Sequence, residues 1–335
     1  MSLIQVQGIY KTEGRNVALT NITFTQQKLQ KIAIAGETGS GKTTLLKIIG
    51  GIISPDKGQV LFENERLKRI PEEKLIPGHP GIAYLSQQFD LPHFLTVEQV
   101  LIYANPLPDD EAENDEQAKA LYEVCRISHL LKRRTDQLSG GEKQRIALAT
   151  LLITSPRLLL LDEPFSNLDM IHKNMLKAVI NDIGERLNIT CILVSHDPLD
   201  TLSWADEIIV MKDGQIVQRG TTKQVYNQPT NRYAAGLFGK YNLISAAYAE
   251  SILGLTGIDT SGRSILFRPE AFTITGNDQD AIKGTINKIT YYGSYYEINV
   301  LLAENYHITI RALQCDKVNG DAVYVRLLAE HLWFV

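Results

Sequence analysis

Residues 36–44 read GETGSGKTT, and this stretch fixes the expected fold. The apolar run IAIA at residues 32–35 precedes it and predicts a short buried strand, and the apolar spacing after residue 43 predicts a helix. A glycine-rich turn between a strand and a helix lets backbone N–H groups approach phosphate oxygens with no Cβ in the way, and the helix start adds a positive dipole end. The stretch therefore predicts a phosphate loop for ATP in an α/β domain.

The chemistry of ATP assigns roles within this loop. Lys42 is expected to bridge the β- and γ-phosphates, and the Thr43 hydroxyl is expected to bind Mg²⁺. The full set of predicted nucleotide-binding residues in the loop is Gly36, Glu37, Thr38, Gly39, Ser40, Gly41, Lys42, Thr43 and Thr44.

A second stretch, LLLLDEP at residues 158–164, predicts a central buried strand that ends in two carboxylates. Ligands of such sheets bind at the carboxyl ends of the strands. Asp162 is therefore expected to hold Mg²⁺, directly or through water. Glu163, one residue on, points differently and is our candidate for the base that polarises the attacking water.

Two more polar residues follow predicted strands. His196 comes after the apolar run at residues 191–194, where an imidazole can hydrogen-bond the γ-phosphate and orient the water. Gln87 comes after the run at residues 82–85, and its amide can bind Mg²⁺ or position water. Gln88 is adjacent, so the choice between the two glutamines rests on register and not on chemistry.

A third stretch, LSGGEKQR at residues 138–145, begins another helix. Ser139 and Glu142 have the spacing of a capping box, in which each side chain bonds the other's backbone N–H. Gly140 and Gly141 have no side chains, so the backbone N–H groups at this helix start are accessible and can bind a γ-phosphate. The predicted nucleotide contacts here are Ser139, Gly140 and Gly141.

Composition and charge exclude several classes of protein. The chain of 335 residues is long enough for two domains, and its net charge of −4 and pI near 6.0 argue against a nucleic-acid partner. The three cysteines have neither metal-site nor disulfide spacing, which favours a reducing compartment. We find no secretion signal and no apolar run long enough to span a bilayer.

The pattern of elements changes along the chain. Residues 3–24 alternate apolar and polar as in an antiparallel hairpin, residues 97–154 have helical spacing, and strands alternate with helices from there to about residue 239. Beyond residue 242 the chain has only short β runs separated by Gly and polar residues, which predicts a small all-β domain.

The three motifs, in this order, resemble the ATP-binding subunits of ATP-binding-cassette (ABC) transporters. The resemblance continues through SNLD at residues 166–169 and HDPLDTL at residues 196–202. In the C-terminal part, FRPEAF at residues 267–272 resembles the OB-type TOBE domain of importers for ferric iron, polyamines, sulfate or sugars.

This resemblance implies a fold and its boundaries. The fold is α/β: a P-loop NTPase ABC cassette with an antiparallel β subdomain and a helical subdomain, plus a small all-β OB-like C-terminal domain. The cassette is expected at residues 1–240, with the helical subdomain at about residues 88–155, and the TOBE domain at residues 241–335.

The resemblance also implies a function and partners. The chain is expected to be the ATP-hydrolysing subunit of an importer for iron, a polyamine or an oxyanion, working as a head-to-tail homodimer in which Lys42 of one copy and Ser139 of the other hold each ATP. It would lie at the cytoplasmic face of the cell membrane under a permease, and it would act indirectly with a solute-binding protein. The alternative is the ATPase of a different ABC system, either an exporter or a soluble ABC protein.

One departure from the family pattern concerns the adenine contact. Members usually stack adenine on an aromatic residue after the first strand, and by register this position is Glu13. Tyr10 lies three residues earlier, so either Tyr10 contacts adenine or base stacking is reduced.

Overall fold

The computed structural model describes residues 2–67, 78–87, 90–104, 111–166, 168–245, 248–250, 263–276, 281–328 and 332–335. Within these ranges the side chains of residues 111–115 and 304 are not described. The chain divides into two compact units, Met1–Thr222 and Lys223–Val335. This division falls before residue 240, where the sequence patterns place the domain boundary.

The first unit contains ten strands among the described residues. They are β1 (Ser2–Glu13), β2 (Asn16–Gln27), β3 (Ile32–Ala35), β4 (Lys57–Phe62), β5 (Glu65–Arg66), β6 (Ile82–Leu85), β7 (Leu158–Asp162), β8 (Thr190–Val194), β9 (Glu207–Lys212) and β10 (Gln215–Thr221). Its helices are α1 (Lys42–Ile49), α2 (Val97–Ala104), α3 (Glu111–Val124), α4 (Gly140–Leu152), α5 (Met170–Arg186) and α6 (Pro198–Leu202).

Two sheets organise these strands. The first has the order β2-β1-β4-β5 and is antiparallel, as the alternating pattern of the first two strands predicts. The second has the order β10-β9-β3-β8-β7-β6, and all its pairs are parallel except β9 with β10. Because β3, β7 and β8 lie side by side and run the same way, the segments that follow them meet at one edge of the sheet.

The apolar character of the central strands explains their position. Every residue of β3, β7 and β8 is buried, as expected for strands covered on both faces. The hydrophobic core joins Ile34, Leu160 and Ile192 of this sheet to Leu46 of α1 and Ile4 of β1. The phosphate-loop helix is thereby packed between the two sheets.

The helical prediction for residues 97–154 is only partly correct. Helices α2, α3 and α4 lie within it, but residues 128–130 and 135–137 form 3₁₀ turns and residues 105–110 lie outside the described part. Helix α5 begins at Met170, because the Asp169 side chain accepts hydrogen bonds from the backbone N–H groups of Ile171 and His172.

The second unit is mostly β structure. Its elements are α7 (Thr222–Asn227), α8 (Arg232–Leu237), β11 (Asn242–Ile244), β12 (Ile265–Phe267), β13 (Phe272–Thr275), β14 (Ile282–Tyr291), β15 (Tyr296–Leu301), β16 (His307–Ala312), β17 (Ala322–Leu327) and β18 (Trp333–Phe334). The strands form an antiparallel three-stranded sheet, β11-β12-β18, and an antiparallel five-stranded sheet, β13-β17-β14-β15-β16. The β-rich C-terminal domain predicted from the sequence is confirmed.

Candidate functional site

The phosphate loop lies between the end of β3 and the start of α1. Gly41 caps α1 with a left-handed backbone (φ 95°), and no side chain caps the helix. Its first N–H groups therefore lack a side-chain acceptor, as in anion-binding helix starts. Glu37, Thr38 and Gly39 are exposed, and a Cβ at Gly39 would meet nothing within 4 Å. The loop is open to a ligand at this point.

Lys42 lies across its own loop. Its Nζ donates hydrogen bonds to the carbonyl oxygens of Gly36 and Glu37, both at 2.8 Å, and it lies 3.5 Å from Ser40 Oγ. Burial lowers the pKa of Lys42, and the neighbouring carboxylates of Glu163 and Asp162 oppose that shift. A buried ammonium that is bonded to neutral oxygen atoms of its own loop, with carboxylates nearby, is well suited to a polyanionic ligand.

Asp162 joins the phosphate loop to the end of β7. Its side chain is buried (2% exposed), its Oδ1 accepts the Thr43 hydroxyl at 3.1 Å, and its Oδ2 accepts the Tyr84 hydroxyl at 2.9 Å. Burial, and then the Asp162 charge, raises the pKa of Tyr84, so the phenol remains a hydrogen-bond donor. The structure thus brings together two of the three predicted metal-binding residues, Thr43 and Asp162.

Glu163 turns away from Asp162 because its backbone is left-handed (φ 52°). Its N–H donates to the Val194 carbonyl at the end of β8, and its carbonyl accepts the Ser166 hydroxyl at 2.8 Å. The Glu163 side chain is 14% exposed and its Oε2 lies 2.6 Å from His196 Nδ1. Two of the three predicted catalytic side chains, Glu163 and His196, are therefore partners, because they follow the ends of the neighbouring strands β7 and β8.

The loop that carries His196 is attached to α5 by ion pairs. Asp200 is 2% exposed, and its Oδ1 lies 2.8 Å from Lys173 Nζ and 2.9 Å from Lys177 Nζ. Lys173 also pairs with Asp197 at 2.6 Å. Asp200 accepts the Ser195 hydroxyl at 3.3 Å, one residue before His196. Sequence reasoning missed this cluster, because no local pattern shows which lysines of α5 face the loop.

Ser139 begins α4 with the predicted capping box, which is confirmed. The Glu142 N–H donates to Ser139 Oγ at 3.3 Å, and the Ser139 N–H donates to Glu142 Oε2 at 2.8 Å. Ser139 and Gly140 are exposed, and a Cβ at Gly140 would meet nothing within 4 Å. Gly141 is buried because the His172 ring of α5 lies against it.

The remaining predicted site residues are Gln87 and Tyr10. Gln87 is exposed in the bend after β6, and the competing Gln88 lies outside the described residues. Tyr10 faces Lys57, whose ammonium lies 5.9 Å from the ring centroid. It is Glu13 that contacts the phosphate loop, since its Oε1 accepts the Thr44 hydroxyl at 2.9 Å. The adenine contact of Tyr10 stays a prediction.

Comparison with known proteins identifies the families that this chain resembles. A family model for ABC transporters matches residues 19–166, and one for the TOBE domain matches residues 265–335. The chain is 33% identical to the Fe(3+) ions import ATP-binding protein FbpC of Mesorhizobium japonicum over 326 residues, which cover 91% of this chain and 89% of the relative. It is 34% identical to the molybdate/tungstate import ATP-binding protein WtpC of Thermococcus kodakarensis over 281 residues, which cover 82% of this chain and 83% of the relative.

A solved structure extends the comparison to the fold. The structure of cbiO1 from Clostridium perfringens, a part of the ABC transporter complex cbiONQ, superimposes with a TM-score of 0.61 at 28% identity, covering 67% of this chain and 90% of that chain. The predicted cassette fold is confirmed.

Proposed function

This chain belongs to the family of ABC importer ATP-binding subunits that carry a C-terminal TOBE domain, and from that premise we propose that it binds and hydrolyses ATP as a head-to-tail homodimer that drives solute uptake through a permease. The observation that carries the proposal is that two consecutive carboxylates, those of Asp162 and Glu163, point to different partners. Asp162 reaches Thr43 of the phosphate helix, and Glu163 reaches His196.

ATP binding is assigned to the phosphate loop. The uncapped start of α1 and the Lys42 ammonium offer donors to the triphosphate, and the open space at Gly39 admits it. The carbonyl oxygens that hold Lys42 are neutral, so a phosphate oxygen competes well for the same ammonium.

Mg²⁺ fits the oxygen atoms of Thr43 and Asp162. A hydroxyl and a carboxylate 3.1 Å apart are hard oxygen donors of the kind that Mg²⁺ prefers beside phosphates. The exposed amide of Gln87 is proposed as a further ligand that can move. When bound, the ion neutralises charge that develops on the phosphates during hydrolysis.

Hydrolysis is assigned to Glu163 and His196. The Glu163 carboxylate accepts a proton from the attacking water, and the His196 ring, 2.6 Å from Oε2, holds that carboxylate in place. The exposed imidazole, with 62% of its side chain accessible, is also free to reach the γ-phosphate.

The dimer is proposed from the position of the second glycine pair. Ser139 and Gly140 are exposed at the start of α4, and Ser139 bonds Glu142 within the turn. This turn and the phosphate loop belong to different elements of the chain. In a head-to-tail pair, the Ser139–Gly140 turn of one copy reaches the γ-phosphate of the ATP that is bound to the phosphate loop of the other copy.

The permease is proposed to dock in a cleft of about 850 Å³ among the helices of the first unit. The residues that line it include Leu101, Ile102, Leu121 and Arg186. Ile102 and the adjacent Tyr103 are 62% and 74% exposed, which is typical of a surface that meets a partner. No helix within the described ranges has both the length and the apolarity needed to cross a bilayer. We propose that the chain is attached to the cytoplasmic face of the membrane through the permease.

The cargo is proposed from the relatives alone. Two of them are named for import of ferric iron and of molybdate or tungstate. We propose a small solute of this kind (iron, an oxyanion or a polyamine) delivered by a solute-binding protein.

Glu163→Gln tests the catalytic assignment. We expect ATP binding to be retained and steady-state ATP hydrolysis to fall by about 10²–10⁴-fold, the usual share of a general base. ATPase assays and equilibrium binding of a fluorescent ATP analogue measure the two quantities. Full turnover in this variant contradicts the role of Glu163.

Ser139→Arg in the Glu163→Gln background tests the shared site. We expect it to abolish ATP-dependent dimers in light scattering, because the added side chain occupies the exposed turn. Thr154→Arg, at an exposed position beyond the other end of α4, is the matched control and should leave dimers intact. Unchanged dimerisation of Ser139→Arg excludes the head-to-tail arrangement.

A further inference from the structure

Tyr84 contacts the proposed metal site but has no role in the function described above. It lies on β6, in register with Leu160 of β7, and its hydroxyl donates to Asp162 Oδ2 at 2.9 Å. The other oxygen of the same carboxylate, Oδ1, accepts the Thr43 hydroxyl at 3.1 Å. The Asp162 carboxylate is thus held at both oxygens, from two different elements.

We propose that Tyr84 is a positioning residue for the divalent cation: its hydroxyl fixes the plane of the Asp162 carboxylate and so sets the affinity of the Thr43–Asp162 pair for Mg²⁺. This inference rests on the proposed function, because it assumes that the cation binds at this pair.

The need for such a residue follows from the carboxylate itself. The terminal torsion of an aspartate is broad and roughly two-fold, so one hydrogen bond leaves the group free to turn. Asp162 is 2% exposed, and water has little access to compensate for a lost partner. A second donor from a neighbouring strand restricts the torsion before the cation arrives.

The role of the Tyr84 hydroxyl can be tested separately from the packing of the Tyr84 ring. Tyr84 is half-buried, and Tyr84→Phe keeps the ring and removes only the hydroxyl. The β6–β7 pairing uses backbone atoms, so it does not depend on that hydroxyl. Loss of a partner that orients a metal ligand typically costs 10–100-fold in metal affinity.

The experiment measures cation binding without turnover. Full-length protein is saturated with the non-hydrolysable analogue AMP-PNP and titrated with Mn²⁺, and the free Mn²⁺ is read from its electron paramagnetic resonance signal. We expect Tyr84→Phe to raise the Kd for Mn²⁺ about tenfold. The affinity for AMP-PNP in EDTA should not change, since the phosphate loop is intact. Tyr291→Phe, at an exposed tyrosine on β14, is the matched control and should bind Mn²⁺ as the unmodified chain does.

Thr43→Ala distinguishes the two ways in which the inference can fail. If Thr43→Ala weakens Mn²⁺ binding and Tyr84→Phe does not, the role of Tyr84 is wrong and the metal site stands. If neither variant changes the Kd, the cation does not bind at this pair, and the metal assignment of the proposed function fails as well. A loss of AMP-PNP affinity in EDTA for Tyr84→Phe would show a structural role and overturn the inference.

Discussion

The ion pairs around Asp200 give the sharpest prediction about stability. Asp200 is 2% exposed and lies within 2.9 Å of Lys173 and Lys177, whose side chains are 16% and 20% exposed. Asp200→Asn keeps the shape of the side chain and removes its charge. Lys173 keeps Asp197 as a partner at 2.6 Å, so the main loss is the partner of Lys177.

The expected magnitude follows from this partial exposure. Removing one member of a fully buried ion pair costs about 3–5 kcal/mol, because the other charge is left without compensation. Lys177 retains some contact with water, so we expect Asp200→Asn to lower the free energy of unfolding of the first unit by about 2–3 kcal/mol. A double-mutant cycle with Lys177→Met should give a coupling energy of about 1–2 kcal/mol, since the double variant has no unpaired charge at that position.

The two tryptophans of the chain allow this measurement on the first unit alone. Trp204 is 6% exposed and closely follows α6, and Trp333 belongs to the second unit. In a Trp333→Phe background, urea unfolding followed by tryptophan fluorescence reports on Trp204. If the two single changes add to within about 0.5 kcal/mol, the ion pair contributes nothing specific and the reasoning is refuted.

Two further predictions concern backbone conformation and a buried arginine. Gly41→Ala should destabilise the first unit by about 2–5 kcal/mol and abolish ATP binding, because φ is 95° there and a Cβ would lie 2.6 Å from the Ala18 carbonyl oxygen. Gly39→Ala is its control in the same fluorescence assay and should cost only about 1–2 kcal/mol, because φ is positive but the space is open. Arg268→Met should destabilise the second unit by about 3–5 kcal/mol, because Arg268 is 5% exposed and donates to the carbonyl oxygens of Tyr226, Ala235, Gly239 and Lys240. Trp333 fluorescence in a Trp204→Phe background measures this, and a loss below about 1 kcal/mol would contradict it.

Local patterns were sufficient for the parts of the site that lie within one segment. The glycines of residues 36–44, the capping box of Ser139 and Glu142 and the all-leucine strand before Asp162 each follow from conformational freedom, helix-end hydrogen bonding or burial within a few residues. The predicted sheet edge also follows, because parallel strands end together.

The contacts between segments required the tertiary structure. The Tyr84 hydroxyl meets Asp162 because β6 pairs with β7, and Lys173 and Lys177 meet Asp200 because α5 packs beside the His196 loop. Glu13, and not Tyr10, meets Thr44, because the register of β1 brings its last residue to the phosphate loop. The sequence by itself determined which groups bind phosphate, since backbone freedom and side-chain chemistry are local. Only the packed chain decided which neighbours hold those groups in place, since that depends on pairing between residues far apart in the sequence.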